Sequence, residues 1–566
     1  MRGEGQRLKR EAPDPLEERG AMVHSGYTFS DEERPLFPGA PYSPRLAPRT
    51  RVLYAVTAFI MAMASGLANG IVTSNIMNIA GDMGLYVAEA NILLGVYVAF
   101  NAAANLLLVK ARMQFGIPAT MRVVLGSLIL AEAIAICFPS FGTALLARAV
   151  SGIANGGLTT LGLYSLFQVF PLKHRPTAAI IGFSLPQLAI PLARMVSIDA
   201  VGFDDWLGIH LIELASVLMA LAMLNLLPLP PTDRTKAFEP LDAVTIVMTI
   251  VGMLAGCTAL ALGRFYWWTE APWIGWALAA ALLLGGGVFW LELRRKRPLL
   301  QIRWYGTGDI LLFTLIAVVI RVALTEQTYA AVGLLSMGGL TNDQLHGLFA
   351  AVFAAMAAGI ATAALVSRPE RLLAMMMCSA LVIAFAAWLD THSTSDTRAT
   401  QLYVSQSLLG FGTTLFIGPA LLYGLARVIQ RGPTHLVSFV VLFSTTQNVG
   451  GLGGAALLAS IQTIRQRVHA EAIADSLSLG DPAVLQRLGA TAARLGAYIG
   501  DPSAASAQAS AQLGQALQAQ AAVLAFNDTF WVVSLLALAL AAFLAIVILT
   551  GEVGRLRARP PAEAMT

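Results

Sequence analysis

The chain has 566 residues, of which 57% are hydrophobic and only 12% are charged, and its formal net charge is +4 at pH 7. Since a soluble domain carries about 25% charged residues, a soluble fold of this composition would expose large apolar patches and aggregate. The small positive charge lies mostly in short connectors between apolar segments. It therefore indicates orientation in a membrane and not nucleic-acid binding.

The chain begins with a polar segment, residues 1–50, that is rich in Pro, Arg and Glu. This segment lacks the short apolar core of a signal peptide, so we expect no cleavage and predict a disordered cytoplasmic tail. A helix needs about 20 apolar residues to cross about 30 Å of hydrocarbon, at about 1.5 Å per residue. The apolar segments predict fourteen transmembrane helices, at 52–76, 88–109, 121–139, 141–169, 177–198, 207–228, 241–263, 271–292, 308–335, 345–367, 371–390, 401–425, 434–462 and 528–550.

The connectors alternate in charge. Those that follow the even-numbered spans are rich in Lys and Arg, whereas the others carry few basic residues, mainly Arg194, Arg264 and Arg398. Because Lys and Arg accumulate in cytoplasmic connectors, we predict an integral membrane protein with both termini in the cytoplasm, in the inner (cell) membrane of a bacterium.

One connector, residues 464–527, is far longer than the others and rich in Ala, Gln and Leu. Asp481-Pro482 and Asp501-Pro502 each match a helix N-cap followed by proline at the first helical position. We predict two or three amphipathic helices on the extracytoplasmic side. Two interpretations stay open: a helical linker on the membrane surface, or a docking surface for an adaptor protein.

Polar residues recur every fourth position in several spans, which places them on one face of each helix. Such faces turn towards the interior of a helix bundle, where they line a cavity or form hydrogen bonds between helices. The residues predicted to line a substrate cavity are Asn69, Thr73, Tyr97, Asn101, Asn105, Asn155, Arg321, Thr325 and Tyr329.

Charged residues also lie within the predicted spans. An unpaired charge at mid-membrane costs at least about 2.5–3.5 kcal/mol, so each needs a partner charge, a water-filled cavity or a shifted pKa. A carboxylic acid beside a cavity can exchange protons. The candidates for proton coupling are Glu132, Arg148, Glu213 and Glu326. Glu326 is the leading candidate, and the alternative for it is a static ion pair with Arg321 or with a residue of another helix.

Six motifs resemble those of one known family in order and spacing. They are IAGDMG at 79–84, ARAVSGIANGG at 147–157, EPLDAVTIVMTIVGMLAGCTALALGR at 239–264, FWLELRRKRPLLQIRWY at 289–305, TTQNVGGLGGAALLASIQTIRQR at 445–467 and FNDTFWV at 526–532. Across residues 52–550 the chain therefore resembles the fourteen-span drug:proton antiporters of the major facilitator superfamily, of the EmrB/QacA type.

The resemblance implies an all-α polytopic membrane protein with the major facilitator fold, in which two six-helix bundles flank two inserted helices. The implied division is a tail at 1–50, a bundle at 51–230, the inserted spans and a cytoplasmic connector at 231–306, a bundle at 307–550 and a tail at 551–566. Substrate would lie between bundles that rock to open alternately to each side. The implied gating and packing residues are Gly152, Pro186, Gly450, Gly451, Gly453 and Gly454.

The sequence departs from the family at several motif positions. Ala68 stands where the family often has Asp in the first span, and Val109 and Met113 replace the Gly and Asp of the connector after the second span. The fifth-span motif keeps only Pro186, and Gln447 replaces the usual arginine before the thirteenth-span glycines. These departures favour a divergent exporter, an altered coupling ion or a different substrate class.

The sequence thus predicts a secondary active transporter that carries out proton-coupled efflux of small amphipathic or aromatic compounds, as multidrug antiporters do. The alternative is a proton-coupled importer or facilitator of a small organic anion, whose anionic group Arg321 would bind. We predict no enzyme, cofactor or metal site, because no HExxH, suitable GxSxG or phosphate-binding GK[ST] motif is present. The expected partners are the lipid bilayer, the substrate and an adaptor protein of the membrane-fusion type.

Overall fold

The structure is a computed structural model that describes residues 33, 40–44, 46–201, 207–232, 234, 236–296, 298–432, 435–477 and 481–558. Most of the first predicted tail, and residues 559–566 of the second, lie outside the described residues. Residues 40–44 of the first tail lie against the helices, where the N–H of Tyr42 donates to the carbonyl of Pro231 at 3.1 Å.

Every predicted span is present as a helix, and every regular element among the described residues is helical. Spans 1 to 14 are Pro48–Ser74, Val87–Phe115, Ile117–Cys137, Phe141–Val169, Arg175–Arg194, Leu207–Leu226, Pro240–Tyr266, Pro272–Arg294, Gly308–Met337, His346–Val366, Leu372–Asp390, Tyr403–Arg431, Leu436–Ser476 and Pro502–Ala558. Short helices at Ile76–Asp82, Ile198–Val201 and Ile302–Tyr305 lie in connectors, and a longer one at Pro482–Gly496 lies between spans 13 and 14.

Thirteen of these helices, among the residues described, are long and apolar enough to cross a membrane. The exception is span 4, which has 29 residues but is made more polar by Arg148, Asn155 and several threonines and glycines. Span 4 packs against spans 1, 2, 3 and 5, so Arg148 is buried by protein and not exposed to lipid. The prediction of an all-α membrane protein is confirmed; a helix is present at each of the fourteen predicted spans, and thirteen of them qualify by length and composition as membrane-crossing.

The spans pack in two groups. In the first group, spans 1 to 6, span 4 is central; in the second, spans 9 to 14, span 12 packs against spans 10 and 11 and span 14 against spans 9, 11 and 13. The groups meet where span 2 packs against span 13 and span 5 against spans 10 and 12. Span 7 lies against both span 2 and span 13, whereas span 8 packs mainly against span 7.

Span 5 is interrupted in its middle. A tighter 3₁₀ turn at Leu185–Leu188 separates two α-helical halves. Pro186 lies in this turn and has no N–H to donate to an α-helical bond. Pro186, which the chain shares with the family's fifth-span motif, therefore lies at a break in the helix of span 5.

Span 9 is interrupted as well. Its first helix ends at Ala323, and a wider π-helical turn at Gln327–Ala331 precedes the last helix, Val332–Met337. Single π-turns inside helices occur frequently at functional sites. The break carries Thr325, Glu326 and Tyr329, which the sequence placed on one regular helix.

Spans 13 and 14 extend beyond the bundle, as helices of 41 and 57 residues. Both predicted N-caps are present: a carboxylate oxygen of Asp481 accepts from the N–H of Ala483 at 2.9 Å, and one of Asp501 accepts from that of Ser503 at 2.8 Å. Of the helices predicted in this connector, Pro482–Gly496 is separate from the spans. The helix before it continues span 13, and the helix after it runs into span 14. We call residues 464–476, 482–496 and 502–527 the helical arm.

Span 4 approaches span 2 very closely at Gly152. A Cβ added there would lie 2.6 Å from the carbonyl oxygen of Tyr97 and 3.0 Å from the backbone nitrogen of Asn101. Because helix backbone cannot yield as a side chain can, we expect Gly152→Ala to lower the free energy of unfolding by about 1–3 kcal/mol.

The matched control is Gly126 of span 3, around which a Cβ would meet nothing within 4 Å. Alanine is favoured over glycine in a helix interior by about 0.8–1 kcal/mol, so Gly126→Ala should leave stability unchanged or raise it. Thermal unfolding of the purified variants measures both effects. Equal melting temperatures for the two variants would contradict the close packing at Gly152.

Candidate functional site

A central cavity of about 1550 Å³ lies between the two groups of spans. Spans 1, 2, 4 and 5 form one wall, and spans 7, 9 and 13 form much of the other. Every residue that the sequence assigned to a substrate cavity lines it, namely Asn69, Thr73, Tyr97, Asn101, Asn105, Asn155, Arg321, Thr325 and Tyr329. Of the predicted gating residues, Pro186 and Gly451 also lie in the wall.

The wall of the cavity is basic. Its charged members are Lys110, Arg112, Arg194, Arg264, Lys296 and Arg321, and no carboxylate lines it among the described residues. A cleft of one charge sign with low-dielectric walls concentrates ligands of the opposite sign. We therefore expect the cavity to favour anions over cations, although Asp242 offsets the charge of Lys110.

Two asparagines join the groups across the cavity. The amide of Asn448, in span 13, donates to Oδ1 of Asn101 in span 2 at 2.7 Å. Asn101 in turn donates to the carbonyl of Gly152 in span 4 at 3.0 Å. The sequence predicted Asn101 and Gly152 as site residues, whereas Asn448 was missed.

Arg321 has no carboxylate partner among the described residues. Its Nε donates to the carbonyl of Gln447 at 2.8 Å, which fixes the direction of the guanidinium. A Cβ on Gly451 would lie 2.8 Å from Nη2 of Arg321, so this glycine makes room for the side chain. The described residues provide no hydrogen-bond partner for its Nη atoms, and the residue lines the cavity. Arg321 can therefore bind an anionic group there.

The other predicted glycines of span 13 have different surroundings. A Cβ on Gly450 would meet the Arg321 side chain at 3.2 Å, and one on Gly453 would have only Leu260 nearby, at 3.9 Å. Gly454 alone faces backbone closely, with Cα of Val322 at 2.9 Å. Close approach of spans 9 and 13 therefore depends on Gly454.

Glu326 lies outside the cavity wall and is fully buried. The amide of Gln406 donates to Oε1 of Glu326 at 3.0 Å and to Oδ2 of Asp390 at 2.8 Å, so one amide bridges two carboxyl groups. No ion pair joins Glu326 to Arg321. The predicted alternative of a pair between these two residues is therefore wrong, and Gln406 and Asp390 were missed.

Arg148 links the cavity wall to a buried acid. Its Nη2 donates to Oδ1 of Asn69 at 2.7 Å, and its Nη1 lies 3.5 Å from Oε2 of Glu213. The guanidinium carbon lies 4.4 Å from the centre of the Tyr97 ring. The hydroxyl of Ser151 donates to the other oxygen of Glu213. Arg148 thus contacts two cavity residues and one carboxyl group at once.

A second buried acid, Glu132, lies close to this group. Oε2 of Glu132 lies 2.5 Å from Nδ1 of His210, and both side chains are buried. His210 precedes Glu213 by one helical turn in span 6. The structure therefore brings Glu132, Arg148 and Glu213 into one cluster with His210, which was missed, whereas Glu326 lies in the other group of spans.

At the end of the bundle where span 1 begins, which we call the basic end, five charged residues join spans 2, 7 and 8. Lys110 lies 2.6 Å from Asp242, and Arg295 reaches Asp242 at 2.8 Å, Glu239 at 2.9 Å and Glu292 at 2.8 Å. Asp242 belongs to a family-like motif, but its charged partners, Lys110 and Arg295, come from two other segments of the chain.

At the opposite end, the last turn of span 5 contacts the connector before span 10. The amide of Asn342 donates to the carbonyl of Arg194 at 3.0 Å, and the N–H of Ile198 donates to Asp343 at 3.1 Å. Arg194 was counted with the connector residues although the predicted span 177–198 contains it, and the structure places it in the last turn of the helix and in the cavity wall. Both ends of the cavity thus have polar contacts, and those at this end join the two groups.

No protein-family model matches the chain. An uncharacterised MFS-type transporter of Bacillus subtilis (strain 168), YhcA, is 23% identical over 359 residues, which cover 61% of this chain and 64% of the relative. The chain thus matches somewhat less than two thirds of that relative's length.

Two solved structures illustrate the likeness in fold. The proton:xylose symporter XylE has a TM-score of 0.53 at 11% identity, with 88% of this chain and 96% of that chain covered. A bacterial homologue of the human drug peptide transporters PepT1 and PepT2 has a TM-score of 0.54 at 10% identity, with 89% and 99% covered. The chain is an integral membrane protein with the major facilitator fold, as predicted. The relative and the xylose symporter are transporters.

Proposed function

We propose that this protein is a secondary active transporter that moves small organic molecules by alternating access. The observation that carries the proposal is the large cavity between two groups of spans, walled by polar residues from both. Rocking of the groups would open this cavity to one side of the membrane at a time. The energy source we propose is the proton gradient, because buried carboxyl groups flank the cavity on both sides.

The direction and substrate predicted from the sequence are efflux of small amphipathic or aromatic compounds. Apolar side chains such as Phe183, Phe443 and Phe526 line the cavity beside the asparagines, which suits a compound with an apolar body and a polar group. We further propose that the protein lies in a bacterial inner membrane with both termini in the cytoplasm, as the Lys and Arg distribution predicts. An adaptor protein at the helical arm stays a prediction of the resemblance.

A second candidate function is import or facilitated transport of a small organic anion. The specific observation in its favour is the basic wall, which includes Arg321 without a carboxylate partner. A guanidinium and a carboxylate form strong, bidentate hydrogen bonds. The substrate of this candidate is therefore a carboxylate or a related anion.

An accumulation assay separates the two candidates. Cells of an efflux-deficient bacterium that produce the protein are loaded with ethidium, an aromatic cation, or with salicylate, an aromatic carboxylate. An exporter lowers accumulation of its substrate, and an uncoupler abolishes that effect; an importer raises accumulation. If neither probe nor a wider panel of such compounds responds to the protein or to the uncoupler, proton-coupled transport of this class is contradicted.

The role of Arg321 has its own prediction. A hydrogen bond to a charged group contributes about 1.5–3 kcal/mol, which corresponds to about 10–150-fold in affinity. We expect Arg321→Gln to weaken salicylate transport by that factor in KM and to leave ethidium transport unchanged. The control is Arg398→Gln, which changes an exposed arginine outside the spans. Unchanged transport of every anion in the Arg321 variant would end the anion-site hypothesis.

A further inference from the structure

Proton-coupled transport needs a group that gains and loses a proton in contact with the cavity, and the buried acids differ in their access to it. Glu326 lines neither the central cavity nor the small second cavity described below, and its Oε2 has no partner among the described residues. Glu213 is buried to a similar degree but lies next to the cavity wall. This difference in position favours Glu213 over Glu326 as the group that exchanges protons with the cavity.

A small second cavity of about 10 Å³ lies beside Glu213. Ser65, Asn69, Tyr97 and Asn155 line both this chamber and the central cavity. The volume is near the lower limit of about 10–15 Å³ for one water molecule, and the walls offer hydroxyl and amide groups to bind it. Glu213 is therefore about one water molecule away from the central cavity. We call this space the side chamber.

The guanidinium of Arg148 is held between the chamber wall and the acid. It lies closer to Asn69, at 2.7 Å, than to Glu213, at 3.5 Å. A shift of Arg148 towards Glu213 favours the carboxylate, and a shift towards the cavity favours the protonated acid. Any ligand that contacts Asn69 or Tyr97 changes the surroundings of Arg148 directly.

The other titratable groups around Glu213 are few. Arg148 faces it from span 4, Tyr97 from span 2 and Glu132 from span 3, and His210 lies on its own helix. Oε2 of Glu132 lies 2.5 Å from Nδ1 of His210, and Oε1 of Glu132 has no hydrogen-bond partner among the described residues. Of the two acids in this cluster, Glu213 is the one that lines the side chamber.

We propose that Glu213 is the proton-carrying group and that it exchanges its proton with the central cavity through the side chamber. A hydronium ion in the cavity transfers a proton to an oxygen of the Glu213 carboxylate and leaves as water; release is the reverse step. Arg148 acts as a positioning residue, because it alters the charge balance at Glu213 without carrying the proton. The role of Glu213 in transport rests on the proposed function, but protonation of Glu213 can be measured without a substrate.

The test is infrared difference spectroscopy of the full-length protein in lipid nanodiscs during a change of pH. The wild type should show a carboxylic-acid C=O band that rises as the pH falls. We expect Glu213→Gln to reduce this band by the contribution of one carboxyl group and Glu326→Gln to leave it at full intensity. Glu213→Asp, which preserves the acid and guards against a folding defect, should restore the band at a shifted midpoint. Ser151→Ala removes a hydrogen bond to Glu213 and should shift the midpoint without loss of the band.

A full band in Glu213→Gln, or its loss in Glu326→Gln alone, would overturn the assignment. Transport measurements give an independent result. If salicylate or ethidium transport in Glu213→Gln still follows a pH gradient at the wild-type rate, Glu213 is not the carrier although the protein is a transporter. If the band behaves as expected and neither probe is moved, the proton site stands and the proposed function fails.

Discussion

Replacing Arg295 with alanine is expected to lower the free energy of unfolding by about 3–5 kcal/mol, as is typical when one partner is removed from a buried ion pair. Its guanidinium contacts Asp242, Glu239 and Glu292, and the first and last of these are almost fully buried. Without it, Lys110 alone offsets the charge of two buried carboxylates. Arg295→Lys should give an intermediate loss, because one ammonium group cannot bridge three carboxylates as a planar guanidinium does.

The neighbouring arginine is the matched control for this prediction. Arg294 is exposed, and its guanidinium carbon lies 4.2 Å from the centre of the Trp290 ring. Such exposed contacts contribute about 0.5–1 kcal/mol, so Arg294→Ala should have a small effect. The amount of folded protein that remains after heating in detergent, measured by size-exclusion chromatography, compares the two variants. If Arg295→Ala loses no more folded protein than Arg294→Ala, the ion pairs at the basic end contribute little to stability.

Replacing Arg148 with methionine is expected to destabilise the protein by a similar amount, about 3–5 kcal/mol, and to abolish transport. The change leaves Glu213 buried without an opposite charge and removes the donor to Asn69. The exposed Arg122 of span 3, whose Nε lies 3.1 Å from Oδ1 of Asn225, is the control. Arg122→Ala should change stability by about 0.5 kcal/mol or less.

A double variant distinguishes loss of a charge pair from general damage at Arg148. A buried pair that is replaced as a whole by apolar residues of similar size is often neutral in stability. Arg148→Met combined with Glu213→Leu should therefore recover most of the melting temperature but none of the transport. Losses that simply add in the double variant would mean that the two residues do not interact, since coupled residues are not additive.

Features that depend on a single helix could be predicted from the sequence. Segment length and connector charge predicted the spans, because the bilayer sets the same length for each. The spacing of four residues grouped Asn69 with Thr73, and Asn101 with Asn105, since positions one turn apart share a helix face whatever surrounds them. All of these residues line the cavity.

Features that depend on contacts between distant helices could not be predicted. Nothing near Glu326 in the chain points to Gln406 or Asp390, which lie in spans 12 and 11. His210 did offer a signal, because it precedes Glu213 by three residues in an apolar segment and a buried imidazole needs a partner. The break in span 9 was hidden as well, since its residues are apolar enough for a regular helix and only packing shows the π-turn.

The helical arm has a mechanical consequence. Because spans 13 and 14 enter the arm without interruption, any tilt of these spans is transmitted along a stiff rod. The stretch from residue 460 to residue 476 is about 24 Å long, so a tilt of about 10° would move its tip by about 4 Å. Tyr498, 88% exposed just beyond the helix Pro482–Gly496, is a suitable site for a fluorescent or spin label. If the two groups of spans rock as we propose, a label there would follow the movement of one of them in real time and without touching the cavity.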